Sequence, residues 1–165
     1  MANRYWVGGT STWDATAGTK WALTSGGAGG QAVPTSSDTV FFDANSGANT
    51  VTIGSGTAIC STLTMTGFTG TLAFGTNSIN IAGNAATIYT GATTFSVSGT
   101  PVINCTYSGS TGTRALSLNA TTEANSISFN ITAGSDIVTI PNSVKSIDFT
   151  GFSGTLNVST RTVYG

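Results

Sequence analysis

The chain has 165 residues, with five Lys or Arg, six Asp or Glu and no histidine. Only 7% of residues are charged, against roughly a quarter in ordinary soluble domains. A net charge of −1, with its cations scattered at Arg4, Lys20, Arg114, Lys145 and Arg161, offers no basic face for nucleic acid, and no apolar run approaches the ~20 residues of a membrane-spanning helix.

Read from the start, residues 1–10 lack the apolar core of a secretory signal, so no Sec address is expected. Residues 1–46 read as irregular. They hold Trp6, Trp13 and Trp21, the glycine-rich stretch 25–30, and the run Pro34 to Asp43. From about Asn49 the pattern changes to strands of three to five residues every eight to ten. The spacing predicts them at 51–53, 62–65, 71–74, 79–81, 87–89, 94–97, 102–107, 115–118, 127–131, 137–140, 146–149, 155–158 and 162–164. Thr, Val, Ile and Phe suit a pleated, half-buried surface, while Gly, Ser and Asn supply the turns. No segment carries a useful 3.6-residue apolar period, so helix content should be near nil.

One phrase occurs twice. Residues 61–74 read STLTMTGFTGTLAF and residues 145–158 read KSIDFTGFSGTLNV. A fainter copy, Ile127, Phe129 and Gly134, precedes Ile147, Phe149 and Gly154 by 20 residues. Self-similarity near 20 residues, built from short strands, points to a parallel β-solenoid with coils of about 20–24 residues. A β-sandwich or jelly roll is the alternative for short strands at this spacing. In the solenoid register Leu63, Met65, Ile127, Phe129, Ile147 and Phe149 face inward, Ile127 stacks on Ile147 and Phe129 on Phe149, and Thr62, Thr64 and Ser128 face out.

A stacked β-structure leaves a row of unpaired backbone groups at each end. Residues 1–46, rich in aromatic area, are expected to form an N-terminal cap on repeats spanning 47–165. No such cap is evident at the other end, so Thr162, Val163 and Tyr164 are expected to be an assembly edge, met by another subunit or by further chain.

Chemistry-bearing residues are sparse. Cys60 and Cys105 are 45 residues apart in sequence. Two coils at ~4.8 Å each separate them by nearly ~10 Å, beyond the ~7 Å Cα limit of a disulfide, so two free buried thiols are favoured. Without histidine or a Cys-x-x-Cys pair no metal site is expected, nor any cofactor. Of the acids Asp14, Asp38, Asp43, Glu123, Asp136 and Asp148, the last two are twelve residues apart, which matches no coil period. They should therefore not gather as the paired carboxylates of a glycoside hydrolase. Asp38 and Asp43 are expected to make turn-forming hydrogen bonds rather than bind a cation. The stretch 25–30 lacks the Gly-Lys-Ser/Thr of a phosphate loop. Asn104, Asn119, Asn130 and Asn157 open glycosylation-like triplets of the kind a Thr- and Asn-rich chain produces by chance.

The opening Asn3 to Gly9, then Thr12-Trp13-Asp14, Lys20-Trp21 and Pro34 to Asp43, resembles the N-terminal segment of repetitive β-helical bacteriophage virion proteins, among them tail-fibre-like and capsid-decoration proteins. A looser similarity joins it to autotransporter-like adhesins. The resemblance covers residues 1–46 and implies a non-enzymatic structural protein on a virion, made in the host cytoplasm. Its expected partners are copies of itself, a trimer favoured, and other virion proteins, with a host-surface glycan as a further partner. Two other functions compete. One is a carbohydrate-binding adhesin module at a cell surface, with Trp6, Trp13 and Trp21 stacking on sugars. The other is a fragment of a polysaccharide depolymerase.

Overall fold

The structure, a computed structural model, describes residues 1–119, 126–140 and 144–158. In chain order its strands are β1 (Asn3–Trp6), β2 (Ser11–Trp13), β3 (Trp21–Ala22), β4 (Thr39–Phe41), β5 (Thr50–Ile53), β6 (Ile59–Cys60), β7 (Thr62–Thr64), β8 (Thr71–Gly75), β9 (Ser78–Ile81), β10 (Tyr89–Thr90), β11 (Ser96–Gly99), β12 (Val102–Cys105), β13 (Thr113–Ser117), β14 (Ser128–Asn130), β15 (Ile137–Thr139), β16 (Ser146–Asp148) and β17 (Thr155–Asn157). They form three sheets. An eight-stranded sheet runs β17-β15-β13-β10-β7-β4-β1-β3, a four-stranded sheet β11-β8-β5-β2, and a five-stranded sheet β16-β14-β12-β9-β6.

Among the described strands β1 and β3 pair antiparallel, and every other pairing is parallel. An antiparallel sandwich would need the reverse balance. From β4 to β12 the chain visits the eight-, four- and five-stranded sheets in that order, three times over. Beyond β11 no further strand of the four-stranded sheet is described, and the chain passes between the other two. The pairing interval shortens with it. Tyr89 pairs with Leu116 (116 − 89 = 27), whereas Phe129 pairs with Ile147 (147 − 129 = 18). The expected interval of 20–24 residues is thus corrected to a variable one.

Alternation fills the interior. Val40, Leu63, Tyr89 and Leu116 stand in register across four strands of the eight-stranded sheet. Ile79, Ile103 and Phe129 do so in the five-stranded sheet. All seven are fully buried. Leu63, Met65, Ile127 and Phe129 are buried as the sequence predicts, but Ile147 and Phe149 are only partly so. The stacking partners are also corrected. Phe129 pairs with Ile147 rather than Phe149, and Ser128 with Ser146. The two-residue slip keeps every side chain on its predicted face, because strand side chains alternate with a period of two. Thr62, Thr64 and Ser128 are half-buried on the outward side.

The duplicated phrase has a different meaning from the one its spelling suggests. Its first copy joins β7 of the eight-stranded sheet to β8 of the four-stranded sheet; its second joins β16 of the five-stranded sheet to β17 of the eight-stranded sheet. The phrase encodes a corner used at two places, not one side of a coil. In each copy a phenylalanine N–H closes a tight turn onto the carbonyl three residues back, Phe68 onto Met65 at 3.1 Å and Phe152 onto Phe149 at 3.0 Å. The third turn residue, Gly67 or Gly151, has φ of +83° or +89°, the left-handed region that glycine enters freely. The second glycine, Gly70 or Gly154, lies under the phenylalanine ring. A Cβ there would collide with that ring and with the carbonyl oxygen of Asn49 or Asp136. Gly70→Ala should therefore destabilise the fold by about 1–3 kcal/mol, as overpacking does in a close-packed interior. Chemical denaturation of the variant checks this, and a wild-type midpoint would contradict the corner packing.

Residues 1–46 are not irregular, as the sequence suggested. They supply β1, β2 and β4, all within the same sheets as the later strands. The antiparallel strand β3 lies at the outer edge of β1. The pair Ile59–Cys60 (β6) is too short to stand out in sequence. The predicted edge strand Thr162–Tyr164 lies outside the described residues.

Candidate functional site

The outward face of the five-stranded sheet carries a file of amides. Asn80, Asn104 and Asn130 occupy one register position on β9, β12 and β14. Asn104 Nδ2 donates to Asn80 Oδ1 at 2.9 Å and to Ser78 Oγ at 3.0 Å, and Asn130 Nδ2 donates to Asn104 Oδ1 at 3.0 Å. Asp148 stands next in the file, opposite Asn130. Its carboxylate accepts from the Thr150 hydroxyl and N–H, which hold its pKa below the usual carboxylate value. Ser146 donates to Ser128 at 2.7 Å beside this file. These bonds join strands side chain to side chain and stiffen the face along the stacking direction.

In the interior, one ion pair interrupts the apolar ladder. Arg114 is in phase with Leu116 and Leu118 and so points inward, where it is wholly buried. Its Nε and Nη2 donate to the two Asp136 carboxylate oxygens at 2.7 and 2.9 Å, a bidentate pair. The Tyr107 ring lies 5.1 Å from the guanidinium carbon, and its hydroxyl donates to the Thr111 carbonyl and accepts from Asn84 Nδ2. Arg114 Nη1 is buried without a partner among the described residues. In sequence Arg114 is one of the scattered cations, but its alternation with Leu116 and Leu118 is the signal that places it inside.

The tryptophan platform is corrected outright. Trp6, Trp13 and Trp21 are each 0% exposed, packed edge-on or tilted against one another and Phe42. None presents a ring face to a sugar. Their aromatic area goes into the interior of the first strands. On the outward side of these first strands stand Tyr5 and Phe41 instead, stacked on adjacent strands with ring centres 4.4 Å apart and planes 10° apart.

The described acids do not converge. Asp43 caps the 3-10 turn at Ala44–Ser46, accepting from the N–H groups of Asn45 and Ser46. Asp14 pairs with Lys20 at 2.7 Å, and that bond, with the Thr16 N–H, holds its pKa down. Asp38 is buried, which alone would raise its pKa. The N–H groups of Ala2 and Thr35, the Thr35 hydroxyl and the nearby Arg4 charge outweigh this and lower it. Glu123 lies outside the described residues. Cys60 and Cys105 are free and buried, each opposite Ile81 on a neighbouring strand. Burial raises both thiols, Cys105 to about 12, so neither is a ready nucleophile.

Asp38 ties β1 to the turn before β4, and this gives a pH prediction. Its folded pKa lies below the unfolded value, so its contribution is present above the unfolded pKa and is lost as pH falls through the folded one. Asp38→Asn should cost about 1.5–3 kcal/mol at pH 7, the range for hydrogen bonds to a charged group. The difference from wild type should vanish at pH values below the folded pKa. Paired denaturant titrations at pH 7 and pH 2.5 measure it; an equal gap at both would contradict the carboxylate's role.

No family model, no curated protein and no solved structure matches this chain.

Proposed function

We propose that the chain is a non-enzymatic structural protein whose strands stack as a β-solenoid, serving on the surface of a bacteriophage particle as a capsid decoration or fibre-like subunit. The observation that carries this reading is the continuous parallel register. Buried side chains stand in file across the sheets, and hydrogen-bonded side chains continue the file outside. Such a body gains rigidity from every added strand, since each repeat is held by its neighbours. The described carboxylates whose partners are known are occupied in caps, turns and ion pairs, which suits a passive role better than acid–base chemistry. The virion setting rests on the resemblance carried by residues 1–46. An adhesin that stacks sugars on exposed tryptophan finds no support, because all three indoles are interior.

The test is protein mass spectrometry of phage particles purified by density gradient from the lysate in which the chain is made. The reading expects the chain in the particle band at a fixed ratio to the major capsid or tail protein. Its confinement to the soluble fraction would overturn the reading.

A further inference from the structure

We propose that Asp38 is the receptor for a terminal α-ammonium group on Ala2, formed when Met1 is removed by hydrolysis. This processing site is independent of the structural role proposed above. Asp38 is 6% exposed and closes the turn before β4, its N–H on the Thr35 carbonyl. Its Oδ2 accepts from the Thr35 N–H at 3.0 Å and from the Thr35 hydroxyl at 2.9 Å, and its Oδ1 accepts from the Ala2 N–H at 2.8 Å. All three donors are neutral. The cation beside the carboxylate, Arg4, brings its Nε only to 4.0 Å from Oδ2, beyond hydrogen-bond length. On the Oδ1 side this buried carboxylate therefore meets a neutral donor, at the place where a cation would offset its desolvation.

Ala2 is held from both sides, its N–H on Asp38 and its carbonyl accepting from the Thr39 N–H at 2.9 Å, whereas Met1 is 95% exposed. A second residue as small as alanine is what a methionyl aminopeptidase accepts in a chain that starts at Met1. The enzyme adds water across the Met1–Ala2 amide. Methionine leaves with the new carboxylate, and the Ala2 nitrogen takes up protons as an α-ammonium. The nitrogen that gives Asp38 one neutral N–H then becomes a cation with three, on the oxygen it already reaches. Such charge-assisted bonds are roughly twice as strong as neutral ones. The carboxylate raises the ammonium pKa above the ordinary ~7.7–8.0 by about one unit or more, and Arg4, the like charge at the other oxygen, limits the rise. A group with a raised folded pKa stabilises the fold below its unfolded pKa, and that contribution is lost as pH rises through the folded value.

The experiment expresses the 165-residue chain in a bacterial cytoplasm and measures its intact mass. The processed form is then compared with one that retains Met1, made with the aminopeptidase inhibited. The mass should show the loss of one methionine residue and no acetyl group. At pH 6.5 the folded-to-unfolded ratio of the processed form should be at least ~10-fold higher, since one pKa unit is a factor of ten. The gap should narrow at pH 10.5 and be absent in an Asp38→Asn background. If that variant does not fold, the unaltered protein still decides: the pH profile for acylation of the Ala2 amine should lie at least about one unit above that of the same amine in the unfolded chain. Retained Met1, an acetylated Ala2, equal stability of the two forms or an unshifted amine would overturn the proposal.

Discussion

Phe129→Ala should destabilise the fold by about 3–5 kcal/mol, the range for truncating a fully buried aromatic. Phe129 is 0% exposed, stands in register between Ile103 and Ile147, and meets the Tyr89 ring edge-to-face with centres 5.5 Å apart. Its loss leaves a cavity between two sheets that strand pairing prevents from collapsing. The same truncation at Phe149, only partly buried, should cost about half as much or less, although sequence alone ranks the two positions equally. Equilibrium denaturation of both variants gives the comparison. Equal losses would mean that the interior is as closed around Phe149 as around Phe129.

Removing the partner of a buried charge should be comparably severe. Asp136→Ala leaves the buried Arg114 guanidinium without its carboxylate, the Tyr107 ring remaining beside it, and is expected to cost about 3–5 kcal/mol. The double variant Arg114→Met/Asp136→Leu removes both charges and should recover most of that loss, since apolar replacements of buried pairs are often neutral or better. A single variant with wild-type stability would show that water reaches Arg114. A double variant no better than the single would show that the pair is needed for more than mutual neutralisation.

The β class, most strand positions and the inward faces could be read from sequence because alternation and turn residues are local signals. The register could not. Phe129 and Phe149 share a spelling 20 residues apart, yet hydrogen bonding sets Phe129 against Ile147, and an even slip leaves the apolar pattern unchanged. The phrase shared by 61–74 and 145–158 describes the turn chemistry of a corner, so it could recur at corners between different pairs of sheets. A better guide to register was present: the triplets Ile79-Asn80-Ile81, Ile103-Asn104-Cys105, Phe129-Asn130-Ile131 and Ile147-Asp148-Phe149 lie on four neighbouring strands of the five-stranded sheet, with Asn80, Asn104, Asn130 and Asp148 in register. The N-terminal strands escaped notice because Trp6, Trp13 and Trp21 suggested an aromatic lid. Alternation inside Asn3–Trp6 and Thr39–Phe41 already separated outward Tyr5 and Phe41 from inward Trp6 and Val40. The surface use of this chain was the least legible part, since Thr, Ser and Asn suit water, a sugar and another subunit about equally well.

The most direct test of the structural role is electron microscopy of intact phage particles labelled with a gold-conjugated antibody against this chain. The account predicts label at regular surface positions on the capsid or along the tail, on most particles. Particles that stay bare while the free protein binds the same antibody would contradict it.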